Sequence, residues 1–137
     1  CHDLFEDTDC DFNQLYKRLI VIGYSRNLSY DICTLVNELT DKFTKENHPH
    51  LNRKRRKDAE AKRLAGISSL AQSIKYADFI DNTKSIVKYD KGFAKVYLEE
   101  KRRCLNEMRS GNIDLFIECC HVFYKAKKKL NNHEQDN

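Results

Sequence analysis

The sequence predicts an all-α protein, a bundle of about six helices, on three observations. The chain has only four glycines and one proline in 137 residues, too few for a turn-rich β architecture. Apolar residues recur at helical spacing in most segments, and no segment shows the alternation typical of a strand. Hydrophobic residues make up 40% of the chain, so a single domain of this length can bury a core without disulfides or a structural metal.

Two amphipathic helices are predicted first. One follows the N-cap candidates Asp9 and Asp11 and ends at Gly23, and its apolar stripe consists of Phe12, Leu15, Tyr16, Leu19 and Ile22. A polar loop is predicted over residues 25–29. The second helix then carries the stripe Ile32, Leu35, Val36 and Leu39.

The middle of the chain predicts a loop and two more helices. Residues 42–50 surround the single proline and indicate the loop. Residues 51–65 are rich in Arg, Lys, Glu and Ala, which favours a helix that is largely exposed to solvent. Ser68 then caps a helix that runs to about Tyr89, which we expect to be central in the bundle.

A break at Ser110 and Gly111 separates the last two predicted helices. The apolar positions of these helices are Phe93, Tyr97, Cys104 and Met108, and then Phe116, Cys119, Cys120, Phe123 and Tyr124. We expect Cys119 and Cys120 to lie in the core rather than in a redox or zinc site. A polar tail is predicted over 131–137, which leaves residues 1–130 as the domain.

The charge and the cysteine content restrict the class of protein. The net charge is only +4, and the six cysteines include no CxxC pair. The sequence has no secretory signal and no long apolar run. We therefore expect reduced thiols, a cytoplasmic location and no membrane partner.

The first residues carry a cluster of side chains suited to a divalent cation. His2 and Asp3 can supply a nitrogen and an oxygen ligand, and Glu6 and Asp7 can hold or deprotonate a bound water. In helical geometry Asp3, Glu6 and Asp7 share a face. The residues alone leave open the alternative of an acidic segment that is merely solvated or caps the next helix.

A second polar element lies in the predicted central helix. Asp78 and Asn82 are four residues apart and so point the same way, and Asp78 lies on the side of the apolar Ile74. A carboxylate aimed at the buried side of a helix is costly unless it is paired, hydrogen-bonded or bound to a metal. A buried salt bridge to Lys or Arg is the alternative to a metal ligand.

The order of these motifs resembles the HD hydrolase domain of RelA/SpoT-type enzymes, especially the small stand-alone hydrolases, from residue 1 to about residue 108. The matching stretches are His2-Asp3 with Glu6-Asp7-Thr8, Leu39-Thr40-Asp41, Leu51-Asn52-Arg53-Lys54, and Lys75-x-Ala77-Asp78-x-x-x-Asn82. The first and last of these are the most specific.

The resemblance implies an HD-type helical domain that binds Mn²⁺ or another divalent cation. It also implies hydrolysis that removes the 3′-pyrophosphate from guanosine tetraphosphate or pentaphosphate, or from a related nucleotide. Carried over residue by residue, the metal ligands are His2, Asp3 and Asp78, the residues acting on the attacking water are Glu6 and Asp7, and the substrate-binding residues are Asn82, Lys42 and Tyr97.

The sequence departs from the family in one respect. The family has a further metal-binding histidine and basic substrate-binding residues upstream of the HD pair, whereas the remaining histidines here do not match that context: His48, His50, His121 and His133. We therefore expect an HD domain without its N-terminal helices. An alternative function follows, that of a catalytically inactive HD domain that binds a nucleotide or a protein.

Two basic runs remain, residues 52–57 and the lysines at 125 and 127–129. They lack interleaved aromatic residues, which favours solvated helix faces over a nucleic-acid surface. The first run could also face the mouth of the site and attract an anionic nucleotide. Nucleic acid is therefore not a predicted partner.

Overall fold

The computed structural model describes residues 4–135, with side chains described for residues 4–132. Over that part of the chain every regular element is a helix, which confirms the all-α prediction. The helices are α1 (Leu4–Asp7), α2 (Phe12–Ile22), α3 (Arg26–Leu39), α4 (Arg53–Ala65), α5 (Ser69–Tyr89), α6 (Lys91–Glu107) and α7 (Ile113–Gln135). The described part of the chain has one helix more than the six expected, and the additional helix is the single-turn α1.

Short polar side chains begin these helices, as predicted at Asp11 and Ser68. The Asp11 carboxylate accepts a hydrogen bond from the Gln14 amide at 2.8 Å, and the Gln14 side chain accepts one from the Asp11 amide at 3.0 Å. The Ser68 hydroxyl accepts from the Ala71 amide at 3.3 Å. Each cap satisfies a backbone N–H group that has no partner within its helix.

Two predicted segment boundaries are wrong. The loop expected over 25–29 is helical from Arg26, because the Ser25 hydroxyl accepts from the Leu28 amide at 3.3 Å and caps α3. The other error is at the C-terminus, where α7 continues to Gln135 through most of the segment expected to be a polar tail.

Helices α5 and α6 are the two central helices of the bundle, since α5 packs against α3, α6 and α7 and α6 packs against α4, α5 and α7. The Tyr76 and Phe79 side chains of α5 are fully buried. The Tyr76 hydroxyl donates to the Met108 carbonyl at 2.9 Å, and the Gln72 side chain accepts from the Ser110 amide at 2.8 Å. These bonds fix the turn between α6 and α7 against the middle of α5.

Gly111 allows this close approach. A Cβ atom at position 111 would lie 2.4 Å from Cε2 of Tyr76 and 3.0 Å from the backbone nitrogen of Ser73. The predicted break at this position is therefore a packing requirement as well as a helix end. Without a side chain there, the start of α7 can lie directly on α5.

Three expectations about burial need correction. Cys119 lies in the core as predicted, but Cys120 is exposed on the next position of α7. Ile22, assigned to the apolar stripe of α2, is 73% exposed. Helix α4 is not simply a solvated helix, because Glu60 and Leu64 are buried. No described helix combines the length and apolar character needed to cross a bilayer.

Candidate active site

The N-terminal acidic segment is attached to the loop that follows α3. Oε1 of Glu6 accepts a hydrogen bond of 2.6 Å from the Asp41 amide. Asp7, the next residue, is exposed. His2 and Asp3, both predicted metal ligands, lie outside the described residues. The contact nevertheless fixes the α1 turn immediately after them against the Asp41 loop.

Asp41 lies among cations contributed by three different helices. Its carboxylate is 3.5 Å from Nζ of Lys75 on α5 and 3.6 Å from Nζ of Lys57 on α4. Burial alone would raise the pKa of Asp41, but the charges of Lys75, Lys57, Lys101 and Arg63 together lower it. Asp41 is therefore ionised at neutral pH, and its negative charge also compensates the charge of Lys75, a residue only 7% exposed.

A buried carboxylate, that of Glu60 on α4, holds the same loop. Its Oε2 accepts from the amides of Lys42 and Phe43, both at 3.1 Å. Its Oε1 accepts from Nε of Arg63 at 2.8 Å, and Arg63 also donates to the Thr40 carbonyl at 3.1 Å. We call this set the charged junction: Asp41, Glu60, Lys57, Arg63 and Lys75. It ties the end of α3 to α4 and α5.

Lys42, a predicted substrate contact, is turned toward the protein. Its ammonium donates to the side-chain oxygen of Asn37 at 2.7 Å. Burial and the nearby Arg63 lower the pKa of Lys42, while Glu60 and Glu6 act in the opposite direction. The side chain is therefore held against α3 in this structure.

Asp78 and Asn82 of α5 point the same way, as their spacing predicts, and they also form a hydrogen bond. Nδ2 of Asn82 donates to Oδ1 of Asp78 at 2.8 Å, which the four-residue spacing allows. Asp78 is half-buried and Asn82 is exposed. Lys75 precedes Asp78 by three residues and so lies on the same face of α5. That face therefore carries the junction lysine and the Asp78–Asn82 pair side by side.

Tyr97, the other predicted substrate contact, lies in the core at 6% exposure. Burial and the Asp78 carboxylate both raise the pKa of its hydroxyl. The hydroxyls of Tyr97 and Thr83 are close enough to influence each other, yet within the described part of the chain neither makes a hydrogen bond of ordinary geometry. The Lys101 ammonium lies 5.5 Å from the Tyr97 ring centroid.

A series of two contacts, one helical step and one further hydrogen bond thus connects Glu6 with Asp78 and Asn82, three of the predicted residues that the structure describes. It runs from Glu6 to Asp41, from Asp41 to Lys75, and along α5 to Asp78 and Asn82. Among the described residues, no three His, Cys, Asp or Glu side chains form a group able to hold a metal ion. Asp78 is the one proposed metal ligand that falls within that part of the chain.

Sequence reasoning missed the roles of Glu60, Lys57 and Lys101. The basic run over 52–57 is also more engaged than expected, since Arg53 makes a bidentate pair with Glu100 of α6 at 2.7 and 3.0 Å. The sequence signal for the junction was the match of Leu39-Thr40-Asp41 to the family, which singled out Asp41. Nothing in a highly charged segment indicates which carboxylate will be buried.

The histidines that failed to match the family context remain apart from this site. His48 is half-buried and stacks on Phe43 at 4.7 Å between ring centroids. His50 and His121 are exposed.

The chain matches no family model, no curated protein and no solved structure.

Proposed function

We propose that this protein is an HD-type, metal-dependent pyrophosphohydrolase that acts in the cytoplasm on guanosine tetraphosphate or pentaphosphate, or on a related nucleotide. The observation that carries the proposal is the series of contacts from Glu6 through Asp41 and Lys75 to the Asp78–Asn82 face. It links the two most specific motifs of the HD resemblance, which are about 70 residues apart in sequence, through Asp41 and Lys75.

The donor set fits a hard-to-borderline divalent cation such as Mn²⁺. One imidazole from His2 and carboxylates from Asp3 and Asp78 would hold it, a combination of ligands that suits such ions. When bound, the ion polarises a phosphoryl oxygen and lowers the pKa of a coordinated water.

The chain's own residues would then orient the reactants. Asp7 and Glu6 position the attacking water and take its proton, and the Glu6 bond to the Asp41 amide places the turn that carries both carboxylates beside the loop after α3. Asn82, exposed and hydrogen-bonded to Asp78, contacts the substrate. Water adds to phosphorus, the bond from phosphorus to the ribose 3′ oxygen breaks, and that oxygen takes up a proton as pyrophosphate is released.

The test is pyrophosphate release from guanosine tetraphosphate with Mn²⁺ present and with Mn²⁺ chelated. Asp78→Asn should reduce the rate on the order of 100-fold or more, because it removes a ligand charge while keeping the side-chain shape. Asp81→Asn is the matched control, since Asp81 is an exposed carboxylate on the same helix. Equal rates in the two variants would refute the proposed role of Asp78.

One observation favours a second function, that of a catalytically inactive HD domain that binds a nucleotide or a protein. Two predicted substrate contacts face the protein, Lys42 toward Asn37 and Tyr97 in the core. Binding of guanosine tetraphosphate in calorimetry, together with no turnover at any Mn²⁺ concentration, would support this function over hydrolysis.

A further inference from the structure

A groove between α6 and α7 lies on a different face of α6 from the candidate active site. Its lining residues follow the site-facing residues by one position along the helix, as Leu98 follows Tyr97 and Arg102 follows Lys101. Consecutive residues in an α-helix are rotated by about 100°, so the two faces are distinct. The groove therefore needs an explanation of its own.

The groove has the size and floor of a small-molecule site. Its volume is about 530 Å³, within the range of roughly 300–1,000 Å³ typical of ligand pockets. The floor is formed by buried apolar side chains that also belong to the core, namely Leu98, Leu105, Phe123 and Leu130. Tyr124, 67% exposed, forms part of the wall. Such a lining favours a hydrocarbon chain.

The rim of the groove is positive. Four cationic residues and one carboxylate line it, and that carboxylate, Glu99, is paired with Arg102 at 2.9 Å. Arg109 is fixed at one end, since its guanidinium lies 5.0 Å from the Phe116 ring centroid and its Nε donates to the Asn106 carbonyl at 3.2 Å. Within the described part of the chain, no carboxylate forms an ion pair with Arg109. A cation held over an apolar floor is complementary to an anionic head group.

We propose that the α6–α7 groove binds a soluble single-chain anionic amphiphile, with its acyl chain on the floor and its carboxylate or phosphate at Arg109. The groove is concave and its floor is buried between two helices, which suits a single chain better than the surface of a bilayer. This site is independent of the proposed hydrolase activity.

The groove contains its own reporter, because the exposed thiol of Cys120 lies in its lining. Alkylation by N-ethylmaleimide can be followed at each cysteine by peptide mass spectrometry. Decanoate below its micelle concentration should slow the alkylation of Cys120 and leave Cys10, a half-buried thiol outside the groove, unchanged. Equal slowing at both thiols, or at neither, would overturn the proposal.

Head-group and chain specificity are tested with two further probes. Decanol should protect Cys120 at least about tenfold less well than decanoate, because it lacks the charge that Arg109 would pair. Equal protection by both would rule out an anion site. Vesicles of anionic phospholipid that protect Cys120 better than decanoate would show membrane binding and also overturn the proposal.

Variants complete the test. Arg109→Gln should raise the decanoate concentration for half-protection about tenfold, and Tyr124→Ser should raise it severalfold through lost apolar contact. Both positions are exposed, so the fold should persist in both variants. Arg55→Gln, an exposed cation of α4 outside the groove, is the control. A tenfold change in Arg55→Gln, or none in Arg109→Gln, contradicts the assignment.

Discussion

The charged junction and the interface between α5 and α7 hold the same bundle by opposite means. Between α5 and α7, buried side chains such as Phe79, Phe123 and Cys119 pack by shape and apolar area. At the junction, a few buried charges each depend on one or two named partners, as Glu60 depends on Arg63. Apolar packing fixes how the helices lie, whereas paired charges hold the loop after α3, to which Glu6 of the N-terminal acidic segment is hydrogen-bonded.

The largest effect should come from breaking the apolar interface. Phe79→Ala removes a fully buried ring that lies 6.5 Å from the Phe123 ring centroid. We expect the free energy of unfolding to fall by about 3–5 kcal/mol. Urea unfolding followed by circular dichroism measures the loss. Tyr89→Ala is the control, because Tyr89 is exposed, and it should change the free energy of unfolding by less than about 0.5 kcal/mol. A similar loss in both variants would argue against the packing described.

Breaking the junction should cost nearly as much through a single charge. Glu60→Gln keeps the side-chain shape but removes the charge that compensates Arg63, a change expected to destabilise the protein by about 3 kcal/mol. Glu99→Gln is the matched control, because its pair with Arg102 is half exposed on both sides and should contribute less than about 1 kcal/mol. Equal losses of unfolding free energy in the two variants, measured by chemical denaturation, would mean that the buried junction stabilises the protein no more than an exposed ion pair does.

Adding one methyl group at the α6–α7 turn should have a smaller effect. Gly111→Ala introduces a Cβ atom 2.4 Å from the Tyr76 ring, so the turn or the ring has to shift, at a cost of about 1–3 kcal/mol. Thermal unfolding of this variant and of Gly92→Ala measures the difference. Position 92 has room for the extra atom, whose nearest neighbour would be 3.8 Å away. A larger loss at position 92 would contradict the close approach.

The smallest effect should be the pH dependence of the stability that Asp41 contributes at the charged junction. The folded pKa of Asp41 lies below its ordinary value of 3.8, so its carboxylate contributes stability above that value and loses the contribution as the pH falls through the folded pKa. The difference in stability between the wild type and Asp41→Asn should therefore be constant near neutral pH and shrink in acid. A difference that grows on acidification would reverse the sign of the proposed interaction.

The helices could be predicted because local signals determine them. Asp11 and Ser68 each cap a helix by accepting from an amide three residues further on, and the shared direction of Asp78 and Asn82 follows from helical spacing. The Ser25 cap was missed because a serine before polar residues resembles a loop. The apolar stripe of α2 failed at Ile22 because periodicity predicts a face but not whether another element covers it.

The junction could not be predicted in the same way. Glu60 accepts from amides 17 and 18 residues away, and its neighbours in α4 include five other charged residues of similar propensity over 54–58. The sequence did not indicate that Lys75, a buried lysine of α5, would pair with Asp41 in the loop after α3. Which opposite charges meet depends on how the helices pack, and that is a property of the assembled fold.

The single turn of α1 has a consequence for the order in which the protein loses structure. Helix α1 has no buried residue, and a hydrogen bond from the Asp41 amide spans the 35 residues back to Glu6. A segment without a buried residue can detach at a lower free-energy cost than the core of the bundle. The Asp41 amide should then exchange with deuterium faster than the amides in the interior of α5. Its exchange rate therefore reports how often the N-terminal acidic segment detaches.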